Sequence, residues 1–176
     1  MKNSFVSPYL EKALNGDGIS LQEALELYEN SDLDQLLQAA DSIRAAFFDN
    51  KIDLCSIINA KSGACPEDCK YCAQSARYDT NVESYDFLEE EEIFRQAKEN
   101  EAAGVKRFSI VTSGKSLEGN DFTRLLGLVR KLKRDTTLRI CASIGCINSH
   151  QIYQLKDAGL DLLHHNLETS RRFFRT

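Results

Sequence analysis

From about Ile52 onward, the sequence alternates between segments with the pattern of β-strands and segments with the pattern of helices. The predicted strands run over 52–59, 107–112, 137–143 and 160–166. The predicted helices between them run over 88–103, 121–133 and 149–158. Such alternation is typical of parallel strands joined by right-handed helical crossovers. It predicts an α/β fold with four βα units, the last of them incomplete.

The first fifty residues have a helical pattern throughout. Ser20 and Glu23 have the spacing of a capping box, and a second helix is expected to begin near Asp32 or Asp34. We therefore expect two parts, a helical N-terminal extension over 1–50 and a βα part over 51–176.

Four parallel strands with helices on one side would leave the other face of the sheet uncovered. The chain would then either close against another copy of itself or form about half of a longer barrel. We expect the second arrangement, a (β/α)8 barrel of the TIM type of which this chain covers about the first half. On that expectation the chain is a fragment whose folding and activity on its own are in question.

Composition excludes several classes of protein. The net charge is −5 and no stripe of Lys or Arg is visible, which argues against a nucleic-acid surface. A membrane span needs about 20 apolar residues and no run approaches that length, so no membrane association is expected. The N-terminus has no apolar signal segment, which predicts a cytoplasmic protein. In a reducing compartment, its six cysteines indicate metal or redox chemistry rather than disulfides.

Three of the cysteines, Cys65, Cys69 and Cys72, have the spacing C-x-x-x-C-x-x-C directly after the first predicted strand. Loops at the carboxyl ends of parallel strands are where βα folds place their active sites. Three thiolates can hold three irons of a cubane cluster and leave the fourth iron open for a substrate or cofactor. The spacing alone also leaves open a zinc site that uses a fourth ligand, and three small buried side chains without metal.

The sequence around this motif closely resembles the biotin synthase family of radical S-adenosylmethionine enzymes. The matching segments are 62–78, 158–161 and 165–170, and the similarity runs from about Leu33 to the end of the chain. The resemblance implies that 51–176 is part of a radical S-adenosylmethionine barrel. It also implies a transferase that inserts sulfur into dethiobiotin to make biotin, after a radical derived from S-adenosylmethionine has abstracted hydrogen.

The resemblance also implies roles for individual residues. The three motif cysteines would bind a [4Fe–4S] cluster whose open iron is chelated by S-adenosylmethionine. Tyr71 would line the adenine site, although an aromatic ring packed under the loop is an equal alternative. Asn166 and Glu168 would contact the ribose and nearby groups, where the family commonly has Asp in place of Glu168. His164 would bind substrate, where the family commonly has Asn. His165 is expected to be a buried histidine with its hydrogen bonds satisfied.

The chain departs from the family at a second metal site. Biotin synthases commonly hold an auxiliary [2Fe–2S] cluster inside the barrel, and Cys141 matches one of its ligands. Ser109 stands where that pattern calls for another cysteine, and serine is a poor substitute for a soft thiolate. If Asn59 faces the barrel interior, Cys55 faces the same way and could join Cys141 in a variant auxiliary cluster. The alternative is that Cys55 is a small core residue.

Partners follow from the same resemblance. A low-potential cluster implies a one-electron donor such as reduced flavodoxin or ferredoxin, and the family forms homodimers. Because His164, Glu168 and Ser109 differ from the family pattern, another radical S-adenosylmethionine enzyme with a different substrate is an alternative. A non-catalytic metal-binding fragment is a second alternative.

Overall fold

The structure is a computed structural model that describes residues 5–167 and 170–172. The chain divides into two compact units, Met1–Ile52 and Asp53–Thr176. Three helices form the first unit and a parallel sheet with three covering helices forms the second.

The first unit contains helices α1 (Ser7–Leu14), α2 (Leu21–Asn30) and α3 (Leu33–Phe48). The predicted capping box is present at the start of α2. The Glu23 N–H donates to Ser20 Oγ at 3.2 Å, and the Ser20 N–H donates to Glu23 Oε2 at 2.7 Å. Asp32 caps α3 through the Gln35 N–H, as one of the two predicted helix starts requires. These caps satisfy N–H groups that the first turn of a helix leaves without partners.

The second unit is built on four parallel strands in the sheet order β1-β2-β3-β4. The strands are β1 (Cys55–Lys61), β2 (Arg107–Thr112), β3 (Arg139–Ser143) and β4 (Leu162–Leu163). The helices that alternate with them are α4 (Glu90–Ala102), α5 (Gly119–Asp135) and α6 (Ser149–Ala158). The predicted α/β alternation is therefore confirmed, and the arrangement is that of a partial βα barrel.

The two faces of the sheet differ in composition because side chains alternate along each strand. One face packs against the helices and forms the core, whose strand residues are Ile58, Ala60, Phe108, Ile110, Ile140 and Ala142. The helix residues that meet them include Ile93, Leu125, Leu128 and Leu155, all at most 2% exposed. The residues between them on the strands, such as Cys55, Ile57 and Ser109, lie on the opposite face and outside this core.

Three strands differ in their bounds from the prediction, and β3 begins at Arg139 rather than at residue 137. Strand β1 begins three residues later than expected and continues to Lys61 through an irregularity in its pairing after Asn59. Strand β4 was expected over 160–166, but only Leu162 and Leu163 pair with β3. Among the described residues, β4 is an edge strand with β3 as its one neighbour, and both of its residues are exposed.

Among the described residues, no helix combines the length and the apolar composition needed to cross a membrane.

Candidate metal centre

The motif cysteines lie on the loop that follows β1, and the backbone ties the two ends of this loop together. The Cys65 N–H donates to the Gln74 carbonyl at 3.0 Å, and the Ala76 N–H donates to the Cys65 carbonyl at 2.8 Å. Cys65 thereby pairs with Ser75 in an isolated parallel bridge. The loop is therefore closed by the chain itself, at the carboxyl end of the first strand.

Side chains hold the return segment of the loop. The Ser75 hydroxyl is buried and donates to the Glu67 carbonyl at 2.6 Å. Arg77 Nε donates to the Pro66 carbonyl at 3.1 Å. Both bonds join the residues just after Cys65 to the residues just after Cys72. They fix the backbone between the first two cysteines without using a thiol.

The outer side of the loop carries an ion pair around Asp68. Its carboxylate accepts from the Tyr78 hydroxyl, and Lys70 Nζ donates to it at 3.1 Å. These bonds, with Tyr78 the stronger partner, lower the pKa of Asp68, and Lys70 also lies 5.5 Å from the centre of the Tyr78 ring. The loop surface beside the cysteines is thus charged and polar.

The three motif cysteines form no disulfide and are partly exposed. Within 5–167 and 170–172, no three His, Cys, Asp or Glu side chains form a group that could hold a metal ion. The three thiols therefore do not converge on one point in this structure. The donor set nevertheless fits an iron–sulfur cluster, since three soft thiols occur on one loop and none of them forms a disulfide. The loop thus carries the possible ligands, and hydrogen bonds to the backbone of Cys65, Pro66 and Glu67 hold the chain around the first of them.

The other predicted cofactor and substrate residues that the structure describes are Tyr71, within the cysteine loop, and His164 and Asn166, after β4. Tyr71 is 67% exposed, so its ring is not packed under the loop. His164 follows β4, and its N–H donates to the Ala142 carbonyl at 2.8 Å while its side chain is exposed. Asn166 is exposed in the same segment, and Glu168 lies outside the described residues. The expectation that His165 is buried is wrong, because it lies in this exposed segment beyond the short β4.

Cys141 and Cys55 lie on the face of the sheet that the helices leave uncovered. The register places Ile57, Ser109 and Cys141 in one row, and places Cys55 in the next row toward the start of the strands. Cys141 is buried, whereas Cys55 is exposed, so the interpretation of Cys55 as a core residue is wrong. Burial is the main cause that raises the pKa of the Cys141 thiol, and the Cys55 thiol adds to the rise.

Two arginines on this face were missed in the sequence. In the register of the sheet, Arg107 is the neighbour of both Cys55 and Arg139, so these three residues share one row. Their positive charges oppose the rise in the pKa of the Cys141 thiol. Arg107 Nε is buried with no hydrogen-bond partner in the described part of the chain, while its NH2 group donates to Asp53 at 3.2 Å. The period of two from Ser109 and Cys141 could have identified both positions.

Comparison with known proteins gives the family context of this loop. The family model described as the Radical SAM superfamily matches residues 60–176. Biotin synthase from Clostridium tetani is 44% identical over 167 residues, which cover 93% of this chain and 51% of the relative. Biotin synthase from Clostridioides difficile is 48% identical over 168 residues, which cover 93% of this chain and 52% of the relative. The chain thus spans about half the length of the curated relatives it matches.

A solved structure supports the fold independently. The FeFe-hydrogenase maturase HydG from Carboxydothermus hydrogenoformans superposes with a TM-score of 0.67, at 21% identity. The superposition covers 90% of this chain and 37% of the maturase chain. At this identity the likeness concerns the fold alone.

Proposed function

Because the chain belongs to the Radical SAM superfamily, we propose that it is the cluster-binding half of a biotin synthase, which inserts sulfur into dethiobiotin. The observation that carries this proposal is the three-cysteine loop at the carboxyl end of β1, in a chain 43–48% identical to biotin synthases. The loop supplies the ligands, and the high identity extends over nearly the whole chain rather than over the motif alone.

The proposal assigns the first cofactor to the motif cysteines. Cys65, Cys69 and Cys72 would hold a [4Fe–4S] cluster, and S-adenosylmethionine would bind at its open iron. When bound there, the cluster would supply the electron that cleaves the sulfonium of S-adenosylmethionine. The chain's own contribution is to hold three thiolates on a loop that Ser75 and Gln74 keep closed.

Binding of S-adenosylmethionine would involve residues from two strand ends. Tyr71 is exposed beside the cysteines, where its ring would stack on the adenine. Asn166 follows β4 and would donate to or accept from the ribose, with Glu168 accepting from the ribose hydroxyls. His164 would contact the substrate. Its imidazole can replace one hydrogen bond of the amide that the family commonly has there.

An auxiliary cluster is the second proposed cofactor. Cys141 and Cys55 would supply thiolates from the open face of the sheet, in place of the set that Ser109 breaks. The support is the shared face of the sheet and the exposure of Cys55. The adjacent Arg107 and Arg139 would offset the negative charge of such a cluster. The cluster type would be [2Fe–2S] or a variant of it.

We also propose the cellular setting that this chemistry requires. Electrons would come from a reduced flavodoxin or ferredoxin, and the protein would act as a homodimer in the cytoplasm. None of the six cysteines forms a disulfide, which suits a reducing compartment.

The test supplies the remaining strands from a relative. This chain is co-expressed with the complementary C-terminal half of the C. difficile biotin synthase in cells that cannot make biotin. We expect growth without biotin, and none with a Cys65→Ser chain. Release of 5′-deoxyadenosine without biotin would favour a different substrate, as His164 and Ser109 allow. Iron-loaded protein that produces neither 5′-deoxyadenosine nor biotin would contradict the proposal. That result would favour the alternative of a non-catalytic metal-binding fragment.

A further inference from the structure

The backbone that enters the cysteine loop has an unusual conformation. Gly63 has φ of 71° and the next residue, Ala64, has φ of 50°. A left-handed conformation costs a residue with a side chain about 1–2 kcal/mol. Gly63 itself could not be replaced, since a Cβ there would lie 2.6 Å from Ser84 Cβ. A turn of this kind persists only where its surroundings hold it.

The side chains of Gln74 and Ser113 bind the N–H and the carbonyl of Gly63. Gln74 Oε1 accepts the Gly63 N–H at 2.5 Å and the Ser62 hydroxyl at 3.1 Å. The buried Ser113 hydroxyl donates to the Gly63 carbonyl at 2.7 Å from the end of β2. Gly63 therefore has both of its backbone polar groups bonded, and each bond comes from a different part of the chain.

Gln74 is the residue that links this entry turn to the cysteines. Its main-chain carbonyl accepts the Cys65 N–H at 3.0 Å, while its side chain holds Gly63. One residue thus fixes the backbone on both sides of Ala64, directly before the first motif thiol. The side chain is neutral and partly buried. Its oxygen is the only acceptor for the Gly63 N–H among the described residues.

We propose that Gln74 is a positioning residue, whose carboxamide oxygen holds the left-handed turn at 63–64 and so sets where Cys65 presents its thiol to the cluster. The inference rests on the proposed function, because it assumes that Cys65 binds the cluster. Gln74 itself binds no metal in this proposal. It acts through the Gly63 peptide, with Ser113 as the second support.

The test uses this chain reconstituted anaerobically with iron and sulfide. Gln74→Leu keeps the approximate size and removes the acceptor, whereas Gln74→Glu keeps an oxygen in the same place. Gln154→Leu makes the same change at a partly buried glutamine of α6 and is the matched control. Thermal unfolding followed by circular dichroism verifies that each variant is folded.

Three readouts separate positioning from general stability. We expect a chelator to remove iron about tenfold faster from Gln74→Leu, the factor that one lost hydrogen bond corresponds to. We expect an altered electron paramagnetic resonance spectrum of its reduced cluster, with a weaker response to S-adenosylmethionine. In metal-free protein, the Gly63 amide should exchange hydrogen faster. Gln74→Glu and Gln154→Leu should stay within about twofold of the wild type in iron release and amide exchange.

Failure of this inference is distinguishable from failure of the proposed function. A wild-type chain that takes up a cluster, with Gln74→Leu unchanged in iron release and spectrum, would overturn the inference alone. A wild-type chain that takes up no cluster would contradict the proposed function and the cluster-positioning role together. Amide exchange still tests the turn in that case, because an unchanged Gly63 amide would show that Gln74 does not hold it.

Discussion

Ser109 lies directly opposite Cys141 in the parallel pairing of β2 and β3, on the face of the sheet that the helices leave uncovered. A hydroxyl therefore stands next to the buried thiol where an auxiliary cluster of the usual kind would need a second thiol. The nearest substitute on this face is Cys55, one row away on β1. At the proposed auxiliary site, Ser109 thus stands where the family pattern predicts a second thiolate.

The first prediction concerns this pair of cysteines. We expect Cys55→Ala to lower the iron and sulfide bound by anaerobically reconstituted protein, while the signal of the main cluster is retained. Ser109→Ala should leave the stoichiometry unchanged, because a hydroxyl is not the expected ligand. Cys146→Ala, at an exposed cysteine outside both proposed sets, is the control. Equal iron and sulfide in Cys55→Ala and wild type would eliminate Cys55 as a ligand.

The second prediction concerns the attachment of β4, which leads to His164 and Asn166. Asp161 Oδ2 accepts the Ile140 N–H at 2.7 Å and pairs with Lys133 at 2.9 Å. We expect Asp161→Ala to destabilise the protein by about 2 kcal/mol, because the Ile140 N–H is left without its acceptor. The same change should weaken binding of S-adenosylmethionine. Urea unfolding measures the first effect and equilibrium binding the second.

Asp157→Ala, at an exposed aspartate of α6, is the control for this prediction and should change stability by less than about 0.5 kcal/mol. Equal urea midpoints for Asp161→Ala and Asp157→Ala would show that the bond to Ile140 does not anchor β4.

The third prediction is a pH dependence of stability. Hydrogen bonds from Lys98 and from the N–H and hydroxyl of Thr137 lower the pKa of Glu101 to about 2. A glutamate in an unfolded chain has a pKa of about 4.3, so the ionised carboxylate of Glu101 stabilises the folded state above that pH. This contribution is lost as the pH falls from about 4.3 toward 2. We expect Glu101→Gln to lower stability at pH 7 and to flatten its dependence on pH in the acid range.

Unfolding by urea at a series of pH values measures this slope, and Glu83→Gln, at an exposed glutamate, serves as its control. Parallel curves for wild type and Glu101→Gln would mean that Glu101 has an ordinary pKa in the folded protein.

The fourth prediction concerns the contact between the loops after β2 and β3. Gly145 has φ of 75°, and a Cβ on it would lie 2.2 Å from the Lys115 carbonyl oxygen. We expect Gly145→Ala to destabilise the protein by about 2 kcal/mol or more, from the strained φ and the displaced loop. Gly127 in α5 is the matched control, since a Cβ there meets nothing within 4 Å.

Gly127→Ala should stabilise the protein by about 0.5–1 kcal/mol, because glycine is unfavourable in a helix. Thermal unfolding of both variants checks the pair. Destabilisation by both substitutions to the same extent would contradict the assigned role of the loop contact.

The elements of the second unit could be predicted because their signals are local. Helix α4 has Glu90, Glu91 and Glu92 in its first turn, α6 is capped by Asn148 through the Gln151 N–H, and α6 ends at the left-handed Gly159. Each of these signals acts within a few residues. The length of β4 could not be predicted in this way. Its alternation extends to Asn166, but strand length also depends on whether a neighbouring strand is present.

The cysteine motif was visible in the sequence, but the residues that hold its loop were not. Ser113 bonds Gly63 across fifty residues, and Gln74 reaches back across eleven. The first contact depends on how β1 and β2 pair, and the second on how the cysteine loop closes, and no local pattern encodes either. The uncovered face could be predicted in part, since Cys55 and Cys141 follow the alternation, whereas the exposure of Cys55 needed the structure.

On the proposed function, Cys65, Cys69 and Cys72 hold a reducible cubane cluster that binds S-adenosylmethionine and supplies the electron for its cleavage. The most direct measurement is electron paramagnetic resonance of the anaerobically reconstituted and reduced chain, with and without S-adenosylmethionine, followed by assay of 5′-deoxyadenosine. We expect a [4Fe–4S] signal that changes when S-adenosylmethionine is added, and release of 5′-deoxyadenosine by wild type and Cys146→Ser but not by Cys69→Ser. Iron-loaded wild-type protein with neither the signal nor the product would contradict the claim.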